Sequence, residues 1–241
     1  MLTSLPGFRD KGVFVPETLD DDLNVIKALY QKHGYMDVEV TKKVTWSEDR
    51  THVAIHLAIN EGVQTIISSV EVSGITLLSE KEIHEAILLK EGEPFRKYMI
   101  RSDENALSAL IAEKGHPYVN VQGNFSLSED HSGTEVRYAV DERPYVEMGQ
   151  VYYAGNLRTK ERILQREIGM SPGEPFSLTK VLQGQRNVRN LGLFNAVDFK
   201  VVGLKERQEE INLVVEIEEK KPYFFELGGG YDSERGLFGQ T

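Results

Sequence analysis

Hydrophobic positions along this chain fall in two periods, and the periods succeed one another in a fixed order. The middle of the chain shows this most fully. Ile66-Ile67-Ser68-Ser69-Val70-Glu71-Val72 is rich in β-branched residues and predicts a strand. Gly74 ends it. Ser79 with Glu82 has the spacing of a capping box, and a short helix follows with Ile83, Ile87 and Leu88 on one face. Gly92 and Pro94 stop that helix. A second helix is predicted from about Lys97 to Lys114, with Leu107, Leu110 and Ile111 at helical spacing and Gly115 and Pro117 beyond its end. Period-two alternation then runs through Val119, Val121 and Phe125, turns at Asp130-His131-Ser132-Gly133, and resumes at Val136, Tyr138 and Val140. The predicted order is β-α-α-β-β.

The same order recurs further on. A strand near Gln150–Tyr153 precedes Gly155, a helix spans about Thr159 to Ile168, and a second spans about Leu178 to Leu191. Val181, Leu182, Gln185 and Val188 form the stripe of that second helix. Strands near Ala196–Val202 and Ile211–Glu218 close the unit, and Ile211, Leu213, Val215 and Ile217 alternate strictly, as in a sheet with one buried face. The beginning of the chain gives only part of the pattern. A helix from about Leu19 to His33 turns Leu19, Leu23, Ile26 and Tyr30 inward, and a hairpin follows at Val38–Thr45 and His52–Ile59. A first strand is missing there and a first helix is absent or reduced, so the natural chain is expected to continue upstream of Met1.

A repeat underlies these patterns. Gly92-Glu93-Pro94-Phe95 returns 81 residues later as Gly173-Glu174-Pro175-Phe176. At the same offset Gly74 maps to Gly155, Gly34 to Gly115, Phe14 to Phe95 and Ile87 to Ile168. The fold class read from this is α+β: tandem β-α-α-β-β units, each a three-stranded sheet with two helices on one face. The expected boundaries are 1–61 for a partial unit, 62–143 and 144–222 for complete ones, and 223–241 for a tail. The joints Glu61-Gly62, Glu142-Arg143-Pro144 and Lys220-Lys221-Pro222 are short, so a jointed rod is expected rather than a floppy string.

The tail differs. Tyr223, Phe225, Leu227, Gly229 and Tyr231 share one face of an alternating run. Such a run matches one transmembrane β-strand, and it also matches a Gly-rich disordered end or an extra strand of the last unit.

Composition narrows the function classes. The net charge is −10, which disfavours a nucleic-acid surface and a broadly basic lipid-binding face. There is no cysteine, which removes disulfides, thiolate nucleophiles and Cys-based zinc sites. No apolar run reaches the roughly 18–20 residues of a membrane helix, and the N-terminus shows no signal-peptide pattern. His52 and His56 are four apart, but in a strand that spacing spans roughly 13 Å and cannot share a metal. Asp20-Asp21-Asp22 suits a helix start, and Glu80, Glu82 and Glu85 read as a solvated face. Gly228-Gly229-Gly230 lacks the Lys-Ser/Thr of a phosphate loop. Trp46, the only tryptophan, is expected to be partly buried near a strand end. No cofactor, metal or catalytic group is expected, and a carboxylate-based hydrolase has no paired acids to support it.

What such a unit can offer is backbone. A sheet edge carries unpaired N–H and C=O groups that accept an extended peptide as an added strand. The competing reading is an edge merely protected by charge, for which Lys42 and Lys43 are candidates on the first hairpin.

These residues resemble a known family. Gly after the first strand, Gly-x-Pro-Phe between the helices and Gly before the hairpin are similar to the POTRA (polypeptide-transport-associated) domain. Here they are Gly74, Gly92–Phe95 and Gly115, then Gly155, Gly173–Phe176 and Gly192. The tail from Leu227 to Gly236 resembles the first strand and turn of the barrel in BamA/TamA-type outer-membrane assembly proteins. The resemblance implies a periplasmic row of POTRA domains before an outer-membrane barrel downstream. Its partners would be unfolded outer-membrane proteins, periplasmic lipoproteins or chaperones, and not nucleic acid. It also implies a mixed sheet in the order first–third–second, with the second strand as a docking edge. The candidate edge residues are Val38, Glu39 and Val40, then Val119, Asn120, Val121 and Gln122, then Val197, Asp198 and Phe199. A two-partner secretion transporter and a purely structural adaptor are the alternatives.

Overall fold

A computed structural model describes residues 14–221, 228–232 and 236–240. The middle repeat consists of β3 (Ile66–Ser73), α2 (Glu80–Ala86), α3 (Met99–Glu113), β4 (Asn120–Leu127) and β5 (Gly133–Asp141). The strand order is β3-β5-β4, with β3 parallel and β4 antiparallel to β5. The expected capping box is present: the Glu82 N–H donates to the Ser79 hydroxyl, and the Glu82 carboxylate accepts from the Ser79 N–H at 2.7 Å. Ile67, Phe95, Leu107, Ile111, Val136 and Tyr138 are fully buried and fix the core. Leu88 and Leu110, expected on the inward stripes, are exposed. Leu88 lies beyond α2, which ends at Ala86, and Leu110 stands at the margin of the α3 face that buries Ile100, Leu107 and Ile111.

The third repeat has the same architecture: β6 (Glu147–Ala154), α4 (Glu161–Ile168), α5 (Leu178–Asn190), β7 (Phe194–Val202) and β8 (Glu210–Glu219), ordered β6-β8-β7. Met148, Leu164, Phe176, Ile211, Leu213 and Val215 form its buried centre, while Leu182 points to solvent. In the first repeat α1 (Pro16–Lys32) packs on the antiparallel pair β1 (Glu39–Trp46) and β2 (Val53–Asn60), with a small core of Leu23, Val38 and Val40. Ile55, Leu57 and Ile59 of β2 are exposed. Trp46 is 55% exposed, against expectation: it ends β1 and meets the Phe14 ring in a T-shaped contact, centroid to centroid 5.6 Å. The reduced first helix expected near the N-terminus lies outside the described residues, as do Tyr223, Phe225 and Leu227. Gly228–Asp232 (β9) and Gly236–Gln240 (β10) form an antiparallel hairpin. Among the described residues no helix is long and apolar enough to cross a membrane.

Contacts divide the chain into two compact units, Met1–Ile111 with Val119–Glu142, and Ala112–Tyr118 with Arg143–Thr241. Each unit contains one joint, and the two joints are built alike. In the first, the Gly34 C=O accepts from the Thr65 N–H at 2.9 Å, and the Thr65 C=O accepts from the Phe95 N–H at 2.8 Å. In the second, the Gly115 C=O accepts from the Val146 N–H at 2.8 Å, and the Val146 C=O from the Phe176 N–H at 3.0 Å. The repeated tetrapeptide is therefore joint machinery. Its backbone also brackets the first strand: Gly92 N–H to Ile67 C=O and Ile67 N–H to Glu93 C=O, then Gly173 N–H to Met148 C=O and Met148 N–H to Glu174 C=O. A second tie reaches the hairpin turn of the following repeat. Asp37 Oδ2 lies 2.5 Å from His131 Nδ1, and the Tyr118 hydroxyl donates to the Gln208 C=O at 2.9 Å.

Carboxylates hold the loops between first strand and first helix. Glu142 accepts from the N–H groups of Thr76 and Leu77 at 2.6 and 3.0 Å. Glu219 accepts from the Thr159 N–H at 2.7 Å and from the Arg158 Nε at 2.9 Å. The Arg158 guanidinium, followed by the Thr159 N–H, lowers the Glu219 pKa from 4.5 to about 2. The middle repeat adds a fully buried Asp103, which accepts from the Leu88 N–H (2.7 Å), the Leu89 N–H (3.2 Å) and the Tyr138 hydroxyl (2.7 Å). Burial first, and this bond second, raise the Tyr138 pKa.

Three outcomes follow from these bonds. Asp103→Ala strands three donors and is expected to cost about 3 kcal/mol or more in urea denaturation, against about 1 kcal/mol for Tyr138→Phe. Gly115 sits at φ +93°, and a Cβ there would lie 2.5 Å from the Tyr145 ring, whereas Gly92 at φ +82° has open space. Gly92→Ala should cost only the backbone term of about 1–2 kcal/mol, while Gly115→Ala should in addition speed hydrogen exchange at the Val146 amide. Because the Glu219 pKa is depressed on folding, its stabilisation is complete above about pH 4.5 and disappears as pH falls through about 2. A carboxyl titration by NMR should place its midpoint near 2, and Glu219→Gln should flatten the acid limb of the stability curve in that window.

Candidate peptide-docking edges

In the orders β3-β5-β4 and β6-β8-β7 each sheet has two edge strands: β4 and β7 have one neighbour each, the opposite edges β3 and β6 are capped at their starts by the Gly-Glu-Pro-Phe backbone, and β1 pairs with β2 alone among the described residues. The candidate residues fall on three separate sheets. Val38 and Val119 stand just before β1 and β4. Glu39 and Val40 lie in β1, Asn120, Val121 and Gln122 in β4, and Val197, Asp198 and Phe199 in β7. Val40 and Val197 are buried, Val121 and Phe199 half-buried, and Glu39, Asn120, Gln122 and Asp198 exposed. The side chains are thus committed to core or solvent, and what an incoming strand can meet is main chain.

Helix side chains already touch that main chain. The Gly123 N–H donates to Glu104 Oε1 on α3 at 2.7 Å. The Val197 C=O accepts from Arg189 of α5 at 3.0 Å and from Gln185 at 3.4 Å. In an antiparallel ladder, outward and inward main-chain groups alternate. The outward groups of β4 are therefore those of Val121, Gly123 and Phe125, and those of β7 are Val197, Phe199 and Val201. Asn120, Gln122 and Asp198 direct their main chain at the central strand instead. Gly123 has to be glycine for α3 to come this near, since a Cβ would lie 2.4 Å from Ile100.

Clefts flank both edges. One of about 310 Å³ lies along β4, lined by Lys97, Ile100, Arg101, Glu104 and Gly123–Phe125. Another of about 380 Å³ lies along β7, lined by Arg189 and Phe194–Val197. The β4 cleft sits further along the strand than the residues picked from sequence. Sequence reasoning missed Glu104, Gly123 and Arg189. A signal for the first existed: Glu104 and Gln185 are 81 apart, long polar side chains at one helical position of successive repeats. On β1, Lys42 forms an ion pair with Asp20 of α1, which fits the charge-protection reading of that edge. Among the described residues no group of three or more His, Asp or Glu could hold a metal ion. His56 lies in β2 and His52 just before it.

Comparison with known proteins places these features. The family model POTRA, described as surface antigen variable number repeat, matches residues 1–62, 65–143 and 146–220. The outer membrane protein assembly factor BamA of Nitratidesulfovibrio vulgaris is 24% identical over 249 residues, covering 97% of this chain and 31% of its own length. BamA of Neorickettsia risticii is 26% identical over 232 residues, covering 92% and 30%. The chain thus spans just under a third of the length of these relatives. Among solved structures, Haemophilus influenzae BamA POTRA3-5 superposes with a TM-score of 0.51 at 21% identity, over 87% of this chain and 83% of that one. BamA from Haemophilus ducreyi lacking POTRA domains 1–3 gives 0.53 at 21%, over 71% and 32%. With three matched segments covering most of its length, this chain belongs to the POTRA family.

Proposed function

We propose that this chain is a periplasmic scaffold in outer-membrane protein assembly, made of one partial and two complete POTRA domains. Unfolded outer-membrane proteins add as strands to its outer edges and pass to a membrane β-barrel, while lipoproteins or chaperones dock on the same row. The relatives named as assembly factors support the setting. The observation that carries the mechanism is the outermost position of β4 and β7, with outward main-chain groups and an adjoining cleft. Main-chain bonding suits many substrates, because it reads no particular side chain. The role asks for no bond-breaking chemistry.

Glu104 and Arg189 act on this reading as edge guards. A charge-assisted bond to Gly123 must be given up before a peptide can use that N–H, so each guard weakens binding and keeps an idle edge from pairing with another chain.

The test is an extended, alternating outer-membrane-protein peptide added to the isotope-labelled chain, with amide shifts followed by NMR. Shifts should concentrate on Val121, Gly123 and Phe125 or on Val197, Phe199 and Val201, and Gln122 and Asn124 should move less. Absence of shifts on all outer strands would end the proposal. Glu104→Ala should tighten binding at β4 by about tenfold, the equivalent of one charge-assisted bond released, and leave β7 unchanged.

A further inference from the structure

The end of the third repeat where the chain leaves β8 combines free cations with protruding leucines. Three segments meet there. The Lys220 N–H donates to the Leu193 C=O at 2.9 Å, and the Arg158 guanidinium bonds both Glu219 (2.9 Å) and the Lys220 C=O (2.7 Å). They enclose a cleft of about 490 Å³ whose lining includes Ile163, Leu193, Lys220 and Lys221. Beside it Leu157 is 93% exposed and Leu193 48%. Glu219 neutralises Arg158, and Glu218 is bonded to Asn195. Lys160, Arg162, Lys220 and Lys221 are exposed and carry no ion pair among the described residues, against two carboxylates without a cationic partner, Glu161 and Glu218, which leaves the end net cationic.

The scaffold does not require these charges. The corresponding end of the middle repeat is held by the same kind of carboxylate, Glu142, on Thr76 and Leu77. Its loop and helix start carry Glu80 and Glu82 beside a single Lys81, and Lys81 pairs with Glu85. Arg143 follows Glu142 where Lys220 and Lys221 follow Glu219, so the third repeat's end is the more cationic of the two, in a chain whose net charge is −10.

We propose that this end of the third repeat docks on a membrane surface through anionic phospholipid headgroups. Lys220 and Lys221 face the phosphates, and Leu157 and Leu193 enter the interfacial layer. Cations attract an anionic surface, and apolar tips at the same end favour a lipid interface over an acidic protein, which would leave the leucines wet. The inference rests on the proposed placement beside a membrane, and adds that the row is held there by its last complete domain as well as by any barrel.

The 241-residue chain is mixed with vesicles of phosphatidylcholine alone or with phosphatidylglycerol added, and sedimented. Binding should require phosphatidylglycerol and weaken with salt. Lys220→Gln with Lys221→Gln should weaken it roughly 30-fold, about fivefold for each lysine lost near the surface. Leu157→Ser should weaken it further, and Lys81→Gln should leave it unchanged. Both lysines are exposed and, among the described residues, unpaired through their side chains, so the double variant should keep the parent's circular dichroism and melting. Equal binding to both vesicle types, or indifference to the double substitution, would overturn the proposal. So would equal affinity for soluble glycerophosphoglycerol, which marks an ion site, or lysine-dependent binding to an acidic peptide but not to vesicles. Peptide shifts on β4 or β7 that persist while vesicle binding fails would remove this inference and leave the strand-addition reading standing.

Discussion

The third strand of each complete repeat lies between the other two, and most of what this protein offers follows from that pairing. β5 and β8 are hydrogen-bonded on both sides and buried on one face, so they are the strands that cannot be given up. With them central, the first strand runs parallel to them and the second antiparallel, and each is left at an edge of its sheet. The same pairing places a carboxylate at the end of the central strand, Glu142 just after β5 or Glu219 closing β8, under the loop that leads from first strand to first helix.

The repeats are joined by backbone more than by side chains. The Gly34 and Gly115 carbonyls accept from the residue just before the first strand of the following sheet, and the Gly-Glu-Pro-Phe loop closes over the same strand. This explains why the tetrapeptide returns when so much of the surrounding sequence does not. Side chains fill the remaining space in different ways. The middle repeat buries Asp103 with Tyr138, while 81 residues after Asp103 the chain has Gly184, where α5 comes within Cβ-clash distance of the Ile168 backbone. One architecture thus tolerates a buried hydrogen-bonded carboxylate or a close helix contact at the same point. The hairpin ties differ likewise, Asp37 with His131 in one joint and Tyr118 with a main-chain carbonyl in the other.

On the proposed strand-addition reading, guarded edges resolve a conflict. An edge open enough to accept any extended peptide also accepts a neighbouring copy. Glu104 and Arg189 reach over from the second helix to a main-chain group of the outer strand, and neither covers the whole edge. On that proposal the guard costs an incoming strand one bond, while the remaining outward groups stay available to it.

Much of this was legible in the residues. Period-two runs at Val136–Val140 and Ile211–Ile217 gave the central strands, the 81-residue offset gave the repeat, and Ser79 with Glu82 gave a helix start, because each is a local relation that neighbouring residues settle among themselves. Resemblance to POTRA domains supplied the strand order, which the alternation alone left open. Leu88, Leu110, Leu182 and Trp46 were misplaced, since whether an apolar residue is covered depends on how far a partner element extends. The candidate edge residues were found as strands but not as atoms: which main-chain groups of β4 point outward follows from its register on β5, and which are guarded follows from where α3 lies across it. The sequence by itself determined the elements, their order and the faces they bury, through periodicity and backbone preference. Only the tertiary structure decided where Glu104, Arg189 and the Lys220–Lys221 end stand, because that depends on distances between segments far apart along the chain.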